Sequence, residues 1–454
     1  MQLKEYQQLA LNHLRDYLQA LKEARATAEQ IKKFNPAMPF HWDEAAWQKV
    51  RGPEAYYIRR LNGMGQPTPT ICFKVPTGGG KTLLAVKAID AIQTLYRGQP
   101  HGLVLWIVPT TQIYRQTIQA LRDRAHPYRQ ALDLCSQGRT LILEKESRFS
   151  PEDVQSQLVI MMLMLPSANR QNKETLRLFQ DQGGFAPFFP FEDQLEQHAN
   201  LKGQIPNLDI YAQDSLLGQM VKSSLGNTLR LLNPVIILDE GHKAYSATAQ
   251  NTLRGFNPAF VLELSATPPH ETNILVNISG QSVLREGMIK LDLHVHNKVS
   301  TDWRDTVRAV WEHRGELERL AQVYEARTGT YIRPITLFQV ERTGAKQRLP
   351  GLIHAEDVRE YLITKLNVSP DEIAVKSSER DEIEAIDLLS RDCPIRYIIT
   401  KQALQEGWDC PFAYLVTILT NPESNTGITQ LIGRVLRQPY ARKTGLPELD
   451  ESHV

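Results

Sequence analysis

Three consecutive glycines ahead of a lysine and a threonine, in the stretch "VPTGGGKT" from Val75 to Thr82, are the first residues whose types and spacing could do chemistry. Glycine lets backbone N–H groups turn inward on an anion, and a helix starting just after them adds the positive end of its dipole. Thr77, Gly78, Gly79 and Gly80 would then cradle the phosphates of ATP, with Lys81 reaching the β- and γ-phosphates and the Thr82 hydroxyl available to Mg²⁺. The strict pattern has a glycine where Val75 stands, and a glycine run can also be a plain turn. A second group has to support the first.

That group is Asp239-Glu240, delivered by the apolar run "PVIILDEGHKA". Asp239 is suited to hold Mg²⁺ through water, and Glu240 to orient and deprotonate an attacking water. Adjacent acids also cap strands before turns, so the cradle upstream is what gives the pair a catalytic reading. In "ELSATPP" the hydroxyls of Ser265 and Thr267 come within reach of the acids or of His242, although the same residues would serve as a helix N-cap. Far downstream, "TGITQLIGRVLRQP" sets Gln430, Gly433, Arg434 and Arg437 on one helix, where spacings of three and four bring both arginines near one face. Guanidiniums there suit the charge on a phosphate in transfer; a solvated basic face is the plain alternative. "ITKQALQEGWDCP" adds Gly407 and Asp409 after a strand, available to couple the nucleotide to a second ligand.

These groups need strand ends to hold them. The apolar runs "ICFKV", "GLVLWIVP", "QLVIMMLML", "PVIILDE" and "AFVLELSAT", separated by helical segments such as "TLLAVKAIDAIQTLY" and "TQIYRQTIQALRD", predict a doubly wound α/β domain with a parallel sheet. Ligands bind such sheets outside the C-terminal ends of the strands, where the cradle and the acids fall. Before it, Leu3, Tyr6, Leu9, Ala10, Leu14, Tyr17, Leu18 and Leu21 recur at helical spacing and predict one amphipathic helix ending near "FNPAMPF". The stretch from Leu165 to Leu231 is too long for a simple connection and reads as an insertion with exposed phenylalanines. After "SATPP" the strands "RPITLFQV", "DEIAVKS", "IRYIITK" and "AYLVTILT", with a long helix around "DWRDTVRAVWEHRGELERLAQVYEAR", predict a second α/β domain. The expected division is a helical segment 1–65, a first domain 66–285 with an insertion at about 166–231, and a second domain 286–454.

Composition bounds the rest. A chain of 454 residues with 42% hydrophobic and 23% charged residues suits two or three ordinary globular domains. A net charge of +1 neither requires nor excludes a polyanionic partner, which a local basic groove could meet. Cys72, Cys135, Cys393 and Cys410 are scattered singly, without spacing for zinc, an iron–sulfur cluster or a disulfide framework, which fits a reducing cytoplasm. No stretch reads as a signal peptide or a membrane span.

Taken in order, the cradle, "VPTTQIYRQ", "DEGH", "SATP", "QALQEGWDCP" and "QLIGRVLRQP" resemble the motifs of superfamily 2 helicases and translocases, closest to type III restriction Res subunits. The resemblance covers both α/β domains. It implies two RecA-like domains with ATP between them, driving a DNA translocase or helicase, with RNA as the alternative substrate or an ATP-switched binding module as the alternative function. It also implies that Gln7 reads the adenine, that Arg434 and Arg437 act across the cleft, and that Pro109, Thr110 and Thr400 lie near the nucleic-acid backbone. A methyltransferase, specificity or other defence-system subunit is the implied protein partner. Related restriction subunits continue into a nuclease, whereas this sequence stops at "LDESHV" and reads as the motor part of a longer protein. The nearest nuclease-like pattern, "PDEIAVK" with Glu372 and Lys376, has the wrong spacing.

Overall fold

The computed structural model describes residues 3–164, 183–211, 220–290, 292–296, 302–341, 352–377, 380–383, 386–400, 410–420 and 435–454. They divide into two compact units, residues 1–76 with 80–279, and residues 280–454 with Thr77–Gly79.

In the first unit the chain runs α1 (Glu5–Phe34), α2 (Trp42–Arg51), β1 (Thr70–Lys74), α3 (Lys81–Ala91), a π-helical extension (Ile92–Arg97), β2 (Gly102–Val108), α4 (Thr111–Arg122), α5 (Pro127–Cys135), β3 (Thr140–Leu143), α6 (Pro151–Ser156), β4 (Leu158–Met164), α7 (Leu195–Gln204), α8 (Leu225–Leu232), β5 (Val235–Asp239), α9 (Ala247–Gly255), β6 (Phe260–Ser265) and β7 (Ile274–Asn277). The seven strands form one sheet in the order β3-β4-β2-β5-β6-β1-β7, every pair parallel. Strands β2, β5 and β6 are buried throughout, which explains why their sequences are near-continuous apolar runs rather than alternating ones.

The opening helix is part of this unit rather than a separate segment. Leu14, Leu18 and Leu21 of α1 are fully buried, and α1 packs on α2, α3 and the π-helical turn. Its buried stripe runs through Ala10 and Leu11, leaving Leu9 52% exposed against the expectation from spacing. In the described parts of the stretch read as an insertion, the exposure expected of its phenylalanines is corrected. Phe185 and Phe189, expected to be exposed, are buried together with Ile205, Leu208, Val221, Leu225 and Leu229 in a core with Leu105, Met161 and Ile236. The face of β4, β2 and β5 must be covered by whatever connects β4 to β5, and these residues cover it; Phe191 stays exposed.

The second unit comprises α10 (Gly280–Arg285), β8 (Leu293–His294), α11 (Trp303–Thr328), β9 (Ile335–Gln339), α12 (Ala355–Leu366), β10 (Ile373–Lys376), β11 (Tyr397–Thr400), β12 (Ala413–Ile418) and β13 (Ser452–His453). Its six strands are also all parallel, in the order β10-β11-β9-β12-β13-β8. Helix α11 starts at Asp302, whose carboxylate accepts from the Arg304 amide, and stops at Gly329 in the left-handed conformation. The two clusters that line this sheet contain Leu337, Ile398 and Leu415 in one, and Phe338, Val375 and Ile399 in the other.

Among the described residues no helix is long and apolar enough to cross a membrane.

Candidate nucleotide site

Because the first sheet is wholly parallel, the C-terminal ends of β1, β2, β5 and β6 lie along one edge. That edge collects the residues after each strand: the glycine loop after β1, Pro109 and Thr110 after β2, Asp239-Glu240 at the end of β5, and Ser265 to Thr267 at the end of β6. The pairing Lys74↔Ser265 and Asp239↔Leu264 sets the three chemically loaded ends level with one another.

In the loop, Gly78 and Gly80 have φ of +80° and +78°, a conformation that a side chain strongly disfavours and glycine does not. Gly80 is the N-cap of α3, so Lys81 and Thr82 are the first two residues of a helix whose amide end faces the loop. A phosphate fits this arrangement. The Lys81 ammonium is paired with the Glu240 carboxylate, both largely shielded from solvent. Glu240 itself adopts φ +50° and ψ +51°, left-handed for a residue with a side chain. Strain of that kind concentrates at functional positions. The Glu240 amide donates to Asp239 Oδ1 at 3.0 Å, which orients a carboxylate that is only 8% exposed.

The remaining polar residues form a chain. His242 Nδ1 lies 3.4 Å from Glu240 Oε2 and 3.1 Å from Ser265 Oγ, and the Thr267 amide donates to the same Ser265 oxygen at 3.2 Å. His242 therefore sits between the Glu240 carboxylate and the Ser265 hydroxyl at the end of β6. Asp239 and Thr82 at this edge are the residues that could hold Mg²⁺, and an aspartate and a hydroxyl are the oxygen donors that ion takes. Among the described residues no cluster of three His, Cys, Asp or Glu is placed to hold a metal by itself. A shared ion held mostly by phosphates would not need one.

One participant was not singled out from sequence. Glu263, the charged residue within the apolar strand "FVLELS", is 4% exposed and accepts a hydrogen bond from Tyr245 Oη at 2.8 Å. Burial pushes its carboxyl up to about 7, opposed by the Tyr245 hydrogen bond and the charge of Arg60. Gly241 packs closely beside it: a Cβ there would lie 3.2 Å from the Glu263 Cβ. Cys72, on the neighbouring strand, is held as the thiol by its burial, with Glu263 adding to the effect.

Other expected site residues stand differently. Gln7 is 1% exposed, and its Oε1 accepts from the Lys4 amide at 3.0 Å as a capping box at the start of α1. Thr110 is the N-cap of α4, accepting from the Ile113 amide at 3.4 Å. In the second unit Thr400 is buried at the end of β11. Arg437, expected on a helix, instead forms an isolated antiparallel bridge with Ile289. Gln438, directly before Pro439, is extended, as a residue ahead of proline prefers, so a helix cannot run on through it. Gly407, Asp409, Gln430 and Arg434 lie outside the described residues.

A glycine cradle, its lysine and an acid pair along the C-terminal edge of a parallel sheet, followed by a second parallel α/β unit, define a superfamily 2 helicase-like ATPase motor fold. More narrowly, the chain belongs to the family described as type III restriction enzyme, res subunit, whose sequence profile matches residues 1–270. No curated protein matches the chain. Among solved structures, S. cerevisiae Dbp5 bound to Gle1 and IP6 is similar at 14% identity, with a TM-score of 0.42 over 85% of this chain and 77% of that one. The Pyrococcus furiosus Hef helicase domain is similar at 12% identity, with a TM-score of 0.35 over 83% and 91%. Mss116p bound to single-stranded RNA and AMP-PNP is similar at 12% identity, with a TM-score of 0.40 over 85% and 65%.

Proposed function

We propose that this protein is an ATP-dependent DNA translocase or helicase motor, the motor part of a type III restriction-type enzyme acting in the cytoplasm with a methyltransferase or specificity subunit. The observation that carries the reading is the pairing of Lys81, at the start of the cradle helix, with Glu240, the strained acid at the end of β5. In this reading the two side chains part when ATP enters. Lys81 turns to the β- and γ-phosphates, leaving the Glu240 carboxylate free to orient a water and accept its proton. The amides of Thr77 to Gly80 hold the phosphates, and Asp239 and Thr82 would hold Mg²⁺, which would supply neutralisation of phosphate charge. His242, Ser265 and Thr267 relay the state of the acid pair to the end of β6, with Gln430, Gly407 and Asp409 taking the coupling role from the second unit. Arg434 and Arg437 stabilise the charge on the transferred phosphate.

Pro109, Thr110 and Thr400 are proposed to face the nucleic-acid backbone, a contact that is largely independent of base sequence. Gln7 is proposed to recognise adenine only if its capping bond to Lys4 is exchanged for the base. A displacement assay tests the motor against a switch: ATP with Mg²⁺ should drive the protein through a DNA-bound block or annealed strand. ATP turnover that never displaces either would leave an ATP-gated binding module. Displacement from RNA but not DNA would assign the RNA substrate.

A further inference from the structure

The edge of the first sheet opposite the cradle carries a cavity of about 380 Å³, walled by the second half of α1, the start of α2, the end of the π-helical turn and the loops that enter β1, β5 and β6. Its volume falls within the range of small-ligand sites. Its lining carries three cations, Arg25, Lys32 and Arg97, against one carboxylate, Glu29. None of the three cations is ion-paired among the described residues. The nearby acid Asp43 is already engaged by Arg59 Nε at 3.2 Å.

Arg25 is also held in place. The Arg25 guanidinium sits 5.3 Å from the ring centres of both Trp42 and Tyr96. A guanidinium held by two aromatic faces loses little further freedom when it binds a planar oxyanion. Tyr96 is fixed in turn, its hydroxyl donating to the Ala259 carbonyl at 3.3 Å and its ring edge-on to Phe260. The π-helical turn sets the successive residues Tyr96 and Arg97 on the same cavity wall, a distortion that recurs at functional sites. Burial and the neighbouring Arg25 both work against the charge of Arg97, a cost that a bound anion would offset.

From this geometry we infer that the cavity binds a small phosphate-bearing molecule, with Arg25, Arg97 and Lys32 as its cationic wall. The excess of cations favours a dianion, and phosphate oxygens match the guanidinium fork as two parallel hydrogen bonds. The size favours a small molecule over a nucleic-acid strand. The site is separate from the nucleotide cradle, because α3 and its π-helical extension begin at Lys81 and end at Arg97, about 25 Å along at helical rise.

Calorimetric titration of the full chain with pyrophosphate tests the assignment, using Arg97→Gln, Lys32→Gln and Lys81→Ala variants and a short DNA duplex as a second titrant. Lys32 is exposed, so its variant is expected to fold irrespective of the outcome for Arg97. The inference expects a pyrophosphate site that survives Lys81→Ala and is weakened at least about tenfold by Arg97→Gln and by Lys32→Gln. Absence of binding, or binding lost with Lys81→Ala and untouched by the other two, would overturn it. So would a site at which Arg97→Gln and Lys32→Gln weaken DNA but not pyrophosphate.

Discussion

Glu263→Gln separates burial from charge in the strand that ends at Ser265. The carboxyl has a pKa of about 7 in the folded protein, raised from 4.5 first by burial. The native state therefore keeps a proton that the unfolded chain releases, and this group's contribution to stability is present at low pH and is lost as pH rises from about 4.5 through 7. At about 1.4 kcal/mol per pKa unit the full loss is about 3 kcal/mol, most of it falling between pH 5 and pH 8. Glutamine keeps the volume and an acceptor for Tyr245 Oη, but brings amide hydrogens whose lost hydration costs about 1 kcal/mol. The variant should be about 2 kcal/mol more stable than its parent at pH 8 and within roughly 0.5 kcal/mol of it at pH 5. Thermal unfolding of the full chain at both pH values measures this as a shift of about 4–8 °C at pH 8 in the transition of the first unit. A shift of the same size at both pH values would refute the reasoning, because it would not depend on a titrating carboxyl.

Lys81→Ala is expected to leave the chain folded while abolishing ATP hydrolysis; a folded variant that still turns over ATP would remove the cradle from the account. Glu240→Gln should bind ATP, measured with a fluorescent analogue, without hydrolysing it, whereas weak binding would make Glu240 structural. Arg434→Ala and Arg437→Ala should each slow hydrolysis by on the order of 10³-fold while ATP still binds, and lysine should restore little, since a point charge lacks the planar fork. Full activity in both arginine variants would reduce them to a basic surface.

The sheet edge was legible in the sequence because a parallel strand buried on both faces must be an apolar run, and polar residues that end such a run must lie at one edge. "VIILDE" and "VLELSAT" carried that information, and β5 and β6 follow it. Short edge strands were not legible: β3 has four residues and β7 four, too few for periodicity to separate them from loop. Glu263 was hidden because one acid in an apolar strand signals nothing until Tyr245 is brought to it across the fold. The buried phenylalanines of the β4 to β5 connection were misread because local composition, rich in Gly and Pro, says loop, and only the uncovered sheet face says core. The engagement of Gln7 in the cap of its own helix was not legible, because it depends on backbone geometry that spacing does not carry.

The most direct measurement of the central claim is the rate of ATP hydrolysis by the full chain with no nucleic acid, with single-stranded DNA, with duplex DNA and with RNA. The account predicts a low basal rate that DNA stimulates, with the stimulation absent in Lys81→Ala. A rate indifferent to all four conditions would contradict a nucleic-acid motor.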